Sequence, residues 1–462
     1  MRYGNFGRLF TIRYAIAYSQ SPGWHLFHYL RRLYRMAVSS VSVRLDALPA
    51  RRGESRTWDV LCAPDFAMLN TFARALASVL FLALPVAGVA QTQPQVPSDL
   101  GWSQHVVDST LTRYPDAKQF GSWSYPRGLY LFGQYLVYKR TGDRKYLQYI
   151  EDWVDAHVNE QGQPDREIKA LDDVLAANLL VVLYHQTHQP RYKLGAEFFR
   201  HRFDTYPRTT DGGFWHATVP SRQWQLWADG NYMAVPFLVR YGKEFQDSKY
   251  TNAEAVRQLL TYHKHLQDPS GLLYHAYDES GKAPWADPTT HHSHYFWCRA
   301  IGWYGMAVVD TLDVIPQKQP GRKQLIHILQ QLIAAFARDQ DPHTGLWYEV
   351  VDKTTLPGNW TETSSSAMYT YIIDVAVKRG YVPKKYHAVA EKGYRGVLSR
   401  ISLGSDGLTD LTGICEGTNV GDLQFYLDRR RNTNDFHGLG AFLIMNEEWN
   451  TSVSSQRVEA EK

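Results

Sequence analysis

Gln267-Asp-Pro-Ser-Gly-Leu-Leu-Tyr-His-Ala-Tyr-Asp278 and Gln340-Asp-Pro-His-Thr-Gly-Leu-Trp-Tyr-Glu-Val-Val-Asp352 are two versions of one phrase. Each opens on a turn and runs on into a short extended piece. Weaker versions occur at Asp211-Gly-Gly-Phe-Trp-His216 and Asp406-Gly-Leu-Thr-Asp410. The echoes lie roughly 60–75 residues apart, long enough for two helices and their loops. Apolar residues recur at helical spacing in Leu129-Phe132-Leu136, Leu175-Leu179-Leu183, Val256-Leu259-Leu260 and Leu325-Leu329-Leu332-Phe336. Thr141-Gly-Asp143 sits between two such patterns, as the turn of a helical hairpin needs. The expected fold is therefore all-α, a repeated helical hairpin with room for about six copies. A solenoid and a closed toroid both fit. Solenoid repeats are usually ~20–50 residues long and nearly identical, whereas these share mainly their loops. That favours the toroid, with the loops gathered on one face around a pocket and function residing in them.

Composition narrows the class. The chain has 462 residues, 44% hydrophobic and 21% charged, which excludes disordered, collagen-like and coiled-coil designs. Its 14 Trp and 30 Tyr are costly to expose, so they fill a core or line a cleft. Three Cys are too few and scattered for a disulfide framework or a structural zinc site. The net charge of +4 comes from the N-terminal part: residues 1–90 carry 11 Arg and no Lys against 4 Asp and Glu. The remainder is mildly acidic, so no basic field points to nucleic acid.

Residues 68–90 read as a secretory signal. A short n-region ends at Arg74, an apolar run reaches about Leu84, and Gly88 and Ala90 supply small residues before Gln91. The apolar run is short for a membrane helix. Residues 1–67 then read as an over-extended start, 91–97 as a linker, and 98–462 as the working domain. The expected location is periplasmic or secreted, with no membrane attachment of the mature chain, as a monomer or weak homo-oligomer.

Several loop residues are candidates for chemistry. Trp224-Gln-Leu-Trp-Ala-Asp-Gly-Asn-Tyr-Met233 sets Asp229 among aromatics, where burial would raise its pKa and keep it protonated as an acid. Equally, Asp229 reads as a helix N-cap. Asp172 and Asp173 at the start of another helix suit the macrodipole, or form a carboxylate pair with Asp229 if the loops share a face. In the stretch from Trp285 to Tyr304, Arg299 reads as a bidentate carboxylate grip or as a structural ion pair. Trp297 and Trp303 suit stacking on sugar faces. His291, His292 and His294 have the wrong spacing for a metal-binding helix. There is no Gly-x-Ser-x-Gly elbow, P-loop or dinucleotide fingerprint in context.

From about Trp102 to Trp449 the chain resembles the unsaturated rhamnogalacturonyl hydrolases, glycoside hydrolase family 105. The likeness is carried by Trp123-Ser-Tyr-Pro-Arg-Gly-Leu129, Leu171-Asp172, Gly212-Gly-Phe-Trp-His216, Trp227-Ala-Asp-Gly-Asn-Tyr-Met233, Tyr274-His-Ala-Tyr-Asp278, Phe296-Trp-Cys-Arg-Ala-Ile-Gly-Trp-Tyr304, Gly345-Leu-Trp-Tyr348 and Asn434-Asp-Phe-His-Gly-Leu-Gly-Ala441, in order. The resemblance implies an (α/α)6 barrel and a glycosidase that hydrates the C4–C5 double bond of an unsaturated uronic acid, with no metal or other cofactor. It implies Asp229 as general acid/base and Asp172 as the second carboxylate. It places Tyr125, His216, Trp227, His275, Trp297, Arg299 and Trp303 around the oligosaccharide, with Arg299 near the uronate or its neighbour. Alternatives are an unsaturated glucuronyl hydrolase, or an (α/α)-barrel uronate lyase or epimerase. Tyr125-Pro-Arg, His291-His-Ser-His and residues 411–431 depart from the family pattern and leave the leaving sugar open.

Overall fold

The computed structural model describes residues 97–460, with side chains to Thr451. The over-extended start, the signal and all but the last residue of the linker lie outside the described residues.

Helix α1 (Gly101–Arg113) opens an outer ring. Five hairpins follow, each an inner helix turning back into an outer one: α2 (Tyr125–Thr141) with α3 (Arg144–His157), α4 (Asn178–Thr187) with α5 (Pro190–Arg202), α6 (Asp229–Phe245) with α7 (Ser248–Leu266), α8 (Cys298–Val314) with α9 (Arg322–Asp339), and α10 (Thr363–Lys378) with α11 (His387–Leu398). The short α12 (Leu423–Leu427) precedes α13 (Phe436–Ala460), which completes the inner ring. Each inner helix touches the next, and α13 touches α2, so the ring closes. The chain is an (α/α)6 barrel, as expected, with its sixth pair built from α1 and α13.

Local chemistry explains the hairpins. Gly142 ends α2 at φ 71°, a left-handed position that a side chain resists. Asp143 then caps α3 by accepting from the Lys145 N–H. Outer helices keep one apolar face inward, such as Leu325, Ile328, Leu329, Leu332, Ile333 and Phe336 on α9. Inner helices α6, α8 and α10 are buried along nearly their whole length, as helices packed on all sides must be. The closing seam needs small residues: a Cβ on Gly440 would come within 2.8 Å of the Tyr130 backbone nitrogen.

The echoed phrase is one recurring loop. In each copy a short turn closes on a left-handed glycine: Gly212, Gly271, Gly345 and Gly407. A fifth copy, Asn159-Glu-Gln-Gly162, has the same bonds, with Gly162 N–H on Asn159 C=O and Asn159 N–H on Gln163 C=O. These loops lead into the N-termini of inner helices and join one another side by side. Strand β1 (Gln225–Trp227) pairs with β2 (Ala276–Asp278) across two of them. Single bridges join Ala170 to Ala217 and Trp297 to Val350. Three local hairpins complete the face: β3 (Trp347–Tyr348) with β4 (Thr361–Glu362), β5 (Ile401–Leu403) with β6 (Thr409–Leu411), and β7 (Ile414–Cys415) with β8 (Arg431–Asn432). Among the described residues no helix is long and apolar enough to cross a membrane.

Candidate active site

The barrel delivers side chains to its loop face by one device, the N-terminus of an inner helix. Tyr125 and Asp229 are the first residues of α2 and α6; Arg299 and His437 are the second residues of α8 and α13. Asp172 lies in a single 3-10 turn, Leu171–Asp173, ahead of α4. Helix N-termini carry positive potential and favour carboxylates.

Backbone bonds bring the two candidate carboxylates beside two histidines. Leu171 N–H donates to His216 C=O at 2.9 Å, and Ala228 N–H donates to His275 C=O at 2.9 Å. Asp172 Oδ2 then lies 3.8 Å from His216 Nε2, and Asp229 Oδ2 lies 3.3 Å from His275 Nε2. Asp229 is not a cap: Ala228 holds that position and no side-chain capping bond forms. The neighbouring Asp173 is structural, because its Oδ2 accepts the N–H groups of Lys169 and Ala170. Tyr426 Oη lies 2.8 Å from His275 Nδ1 and takes the Gly421 N–H at 3.3 Å. A hydroxyl that donates to Nδ1 leaves the imidazole proton on Nε2, facing Asp229. The Asp229 Oδ2 and His275 Nε2 atoms complete no well-angled hydrogen bond, as is common in a site awaiting substrate.

The proton sits differently from the sequence expectation. Burial pushes Asp172 up, the charge of Asp229 adds to this, and the carboxyl stands at about 7. Burial also pushes Asp229 upward, but contact with His275 outweighs it and holds the carboxyl below its ordinary range. The raised carboxyl is therefore Asp172, and the expectation of a raised Asp229 is corrected by a histidine 46 positions downstream. Burial pushes His216 down to about 3, so its ring is neutral at pH 7.

The aromatic residues form a wall around this pair. The His216 ring stacks on Trp227 at 4.3 Å and 5°, and Trp227 meets His275 edge-on at 5.5 Å. Trp297 backs His275 at 4.6 Å, and Trp303 stacks on Tyr232 at 5.0 Å beside Tyr125. Both Trp297 and Trp303 are 1% exposed, so they support the wall rather than offer a face to a sugar. Arg299 takes the structural one of its two expected roles, with Nη1 3.9 Å from Glu362 Oε1 in a buried ion pair, rather than the carboxylate grip. It is 0% exposed, and its Nη1 and Nη2 donate to the backbone carbonyls of Cys415 and Glu416 at 2.7 and 2.6 Å. To grip a substrate carboxylate it would first have to release that loop.

The sequence reading passed over Arg222. Its guanidinium lies 4.5 Å over the Trp227 ring, and its Nη2 donates to Asn419 Oδ1 at 2.6 Å. Its charge reaches both Asp172 and His216. It also passed over Asp435 and His437, which join Tyr125 by hydrogen bonds. His291 and His292 are used as rings, stacked on Tyr277 and Tyr274, and among the described residues no group of acidic, His and Cys side chains is arranged to hold a metal ion.

Two carboxyls split in proton affinity, inside an aromatic wall at the mouth of a helical barrel, fit a carbohydrate-active enzyme of the glycosidase class. The model of Glycosyl Hydrolase Family 88 matches residues 102–452, and the chain belongs to that family. It is similar to the solved glycoside hydrolase from family 105 of C. acetobutylicum ATCC 824, with 33% identity and a TM-score of 0.72 over 76% of this chain and 99% of that one. It is 28% identical to the unsaturated rhamnogalacturonyl hydrolase YesR of Bacillus subtilis over 62% of this chain and 80% of that protein. It is 30% identical to protein Atu3128 of Agrobacterium fabrum over 46% of this chain and 96% of that protein. The family resemblance read in the sequence holds, and the protein is a glycosidase with an oligosaccharide substrate.

Proposed function

We propose that the enzyme removes a 4,5-unsaturated galacturonyl residue from the non-reducing end of lyase-generated rhamnogalacturonan oligosaccharides. The observation that carries this reading is the Asp172–Asp229 pair at the barrel mouth, in which burial and the charge of Asp229 lift Asp172 to about 7 while His275 holds Asp229 low. An unsaturated uronide is a vinyl ether. A proton placed on C4 builds positive charge at C5, shared with the ring oxygen. Water adds at C5, the hemiketal opens, and the neighbouring sugar leaves. The pair supplies both proton transfers: it delivers its proton to C4 and takes one back from the adding water. His275 keeps one member ionised, and Arg222 is the cation poised for the uronate. The name of the YesR relative supports the rhamnogalacturonan arm. The character of residues 68–90 supports export, placing the enzyme in the periplasm or outside the cell.

The test follows the ultraviolet absorbance of the conjugated enoate. With unsaturated rhamnogalacturonan disaccharide the absorbance should fall and rhamnose appear, and Asp229→Asn should abolish both. A wide preference for a glucuronyl analogue would overturn the galacturonyl reading. A rise in absorbance would indicate a lyase, and unchanged chain length with turnover an epimerase.

A further inference from the structure

Across the closing seam of the barrel, between the starts of α13 and α2, three side chains form a hydrogen-bonded chain that the reaction above leaves unused. Asp435 Oδ1 lies 2.6 Å from His437 Nδ1, and His437 Nε2 lies 2.7 Å from Tyr125 Oη. Asp435 also accepts the His437 backbone N–H and the Asn432 side-chain amide, each at 3.0 Å. Burial works against its charge, but the bond from His437 more than offsets this and holds the carboxyl well below its ordinary range.

These contacts fix the direction of every proton. An ionised carboxylate only accepts, so His437 Nδ1 carries the hydrogen and Nε2 is bare. Tyr125 must then donate its single proton to Nε2. Burial, with the nearby Arg299 charge, lowers His437, and burial raises Tyr125. Neither group is disposed to pass its proton on, so the chain is a static brace. The lone pairs of Tyr125 Oη are left over, in a region where the charges of Asp172 and Asp229 are both felt. An oxygen within the field of two carboxyls, its proton committed to His437, suits a hydroxyl donor.

We propose that Asp435 and His437 are positioning residues that hold Tyr125 Oη as an acceptor for a hydroxyl of the unsaturated uronyl ring. The inference rests on the functional reading given above. It is distinct from a plain strap between α2 and α13, which would affect stability without affecting substrate affinity.

Three variants and one spectroscopic measurement test it. Tyr125→Phe and Asp435→Asn should each raise KM about tenfold, the effect of one lost hydrogen bond to substrate, with kcat within about threefold. The double variant should be no worse than Tyr125→Phe alone, because both act through one oxygen. Losses that multiply, or a loss of melting temperature with KM unchanged, would overturn the proposal. Nitrogen-15 spectra of His437, taken without substrate, should show Nε2 bare in the wild type and protonated in Asp435→Asn. A protonated Nε2 in the wild type would overturn the proposal whatever the assay shows. A bare Nε2 in a wild type that does not consume the disaccharide would instead remove the functional reading and leave the acceptor geometry standing.

Discussion

Asp172 and Asp229 lie at the mouth of the barrel; Glu349 and Glu362 lie behind it, against the start of α10. In each pair, burial and the neighbour's charge lift one carboxyl, Asp172 or Glu349, to about 7. Their surroundings differ. Glu362 accepts the N–H groups of Ser364, Ser365 and Cys415, and Glu349 takes the Trp297 indole N–H at 2.8 Å and the Cys415 thiol at 3.1 Å. Both glutamates are 0% exposed. At the mouth, Asp229 Oδ2, His275 Nε2 and His216 Nδ1 lack completed bonds, and the Asp172 side chain is 28% exposed. A lifted pKa therefore marks a buried acid, and unmet hydrogen bonds with access mark a working one. The sealed pair still serves the open one. Glu362 and Arg299 tie down residues 415 and 416, in the loop that carries Tyr426 to His275.

The contrast breaks most visibly under neutralisation of one acid in each pair. Asp172→Asn should lower kcat about 10²–10⁴-fold and leave the fold intact, because the carboxyl it replaces is already half protonated near neutrality. Glu362→Gln should do the reverse. An amide facing three N–H donors loses acceptors it cannot replace, at a cost of roughly 2–4 kcal/mol, while the protein that remains folded loses turnover only as far as the loop of residues 415 and 416 loosens behind His275. The wild type should lose activity as pH rises through about 7, where Asp172 gives up its proton. Chemical unfolding and initial rates across pH 5–9 decide both points, and equal kinetic damage from the two variants would end the distinction.

Arg222 sharpens the comparison, because its charge acts on the open pair. It opposes the rise of Asp172, so Arg222→Gln should move the alkaline limb to higher pH. The same variant should raise KM about tenfold, as expected for a lost charge-assisted bond, and should abolish any preference for the free acid over its methyl ester. Competition between acid and ester, run at two pH values, measures both effects. A variant that keeps the preference would show that the uronate lies elsewhere.

The hairpins, their turns and the loop face were readable because helical period and glycine turns are local signals. Closure of the ring was a choice between two architectures that the same periods allow. It depends on contacts such as Gly440 against Tyr130, between residues some 300 positions apart. Asp172, Asp229, His216 and His275 could be placed together through family resemblance, yet their proton affinities could not. Aromatic neighbours in sequence suggested a raised Asp229, whereas His275 arrives from another loop through β1 and β2. Arg299 stood between two readings for a related reason: nothing in the residues around it announces that Glu362 and the carbonyls of 415 and 416 will claim its donors. Arg222 stands in an unremarkable local context, and His437, though it lies in the family-like segment 434–441, acquires a role only when the starts of α13 and α2 meet.

Glu349→Gln gives the smallest effect and the finest distinction. A glutamine imitates a protonated glutamate, accepting from Trp297 with its oxygen and presenting N–H groups where the acid carries its proton. If Glu349 holds its proton to about 7 in the fold and loses it near 4.5 when unfolded, the folded state binds more protons between those values. Wild-type stability then falls as pH rises from 4.5 to 7. The variant, which has no proton to lose, should gain on it by roughly 1–3 kcal/mol across that window and match it below pH 4.5. Turnover should stay within about twofold, since this proton goes nowhere. Urea unfolding at pH 4 and pH 8 is sufficient to test it. Parallel stabilities would mean Glu349 is ionised in the folded protein, and the likeness between the two pairs would reduce to burial alone. At the lifted carboxyl of each pair the same chemical replacement, acid to amide, is thus expected to be stabilising behind the barrel mouth, at Glu349, and disabling within it, at Asp172, because only at the mouth is the proton handed to another molecule.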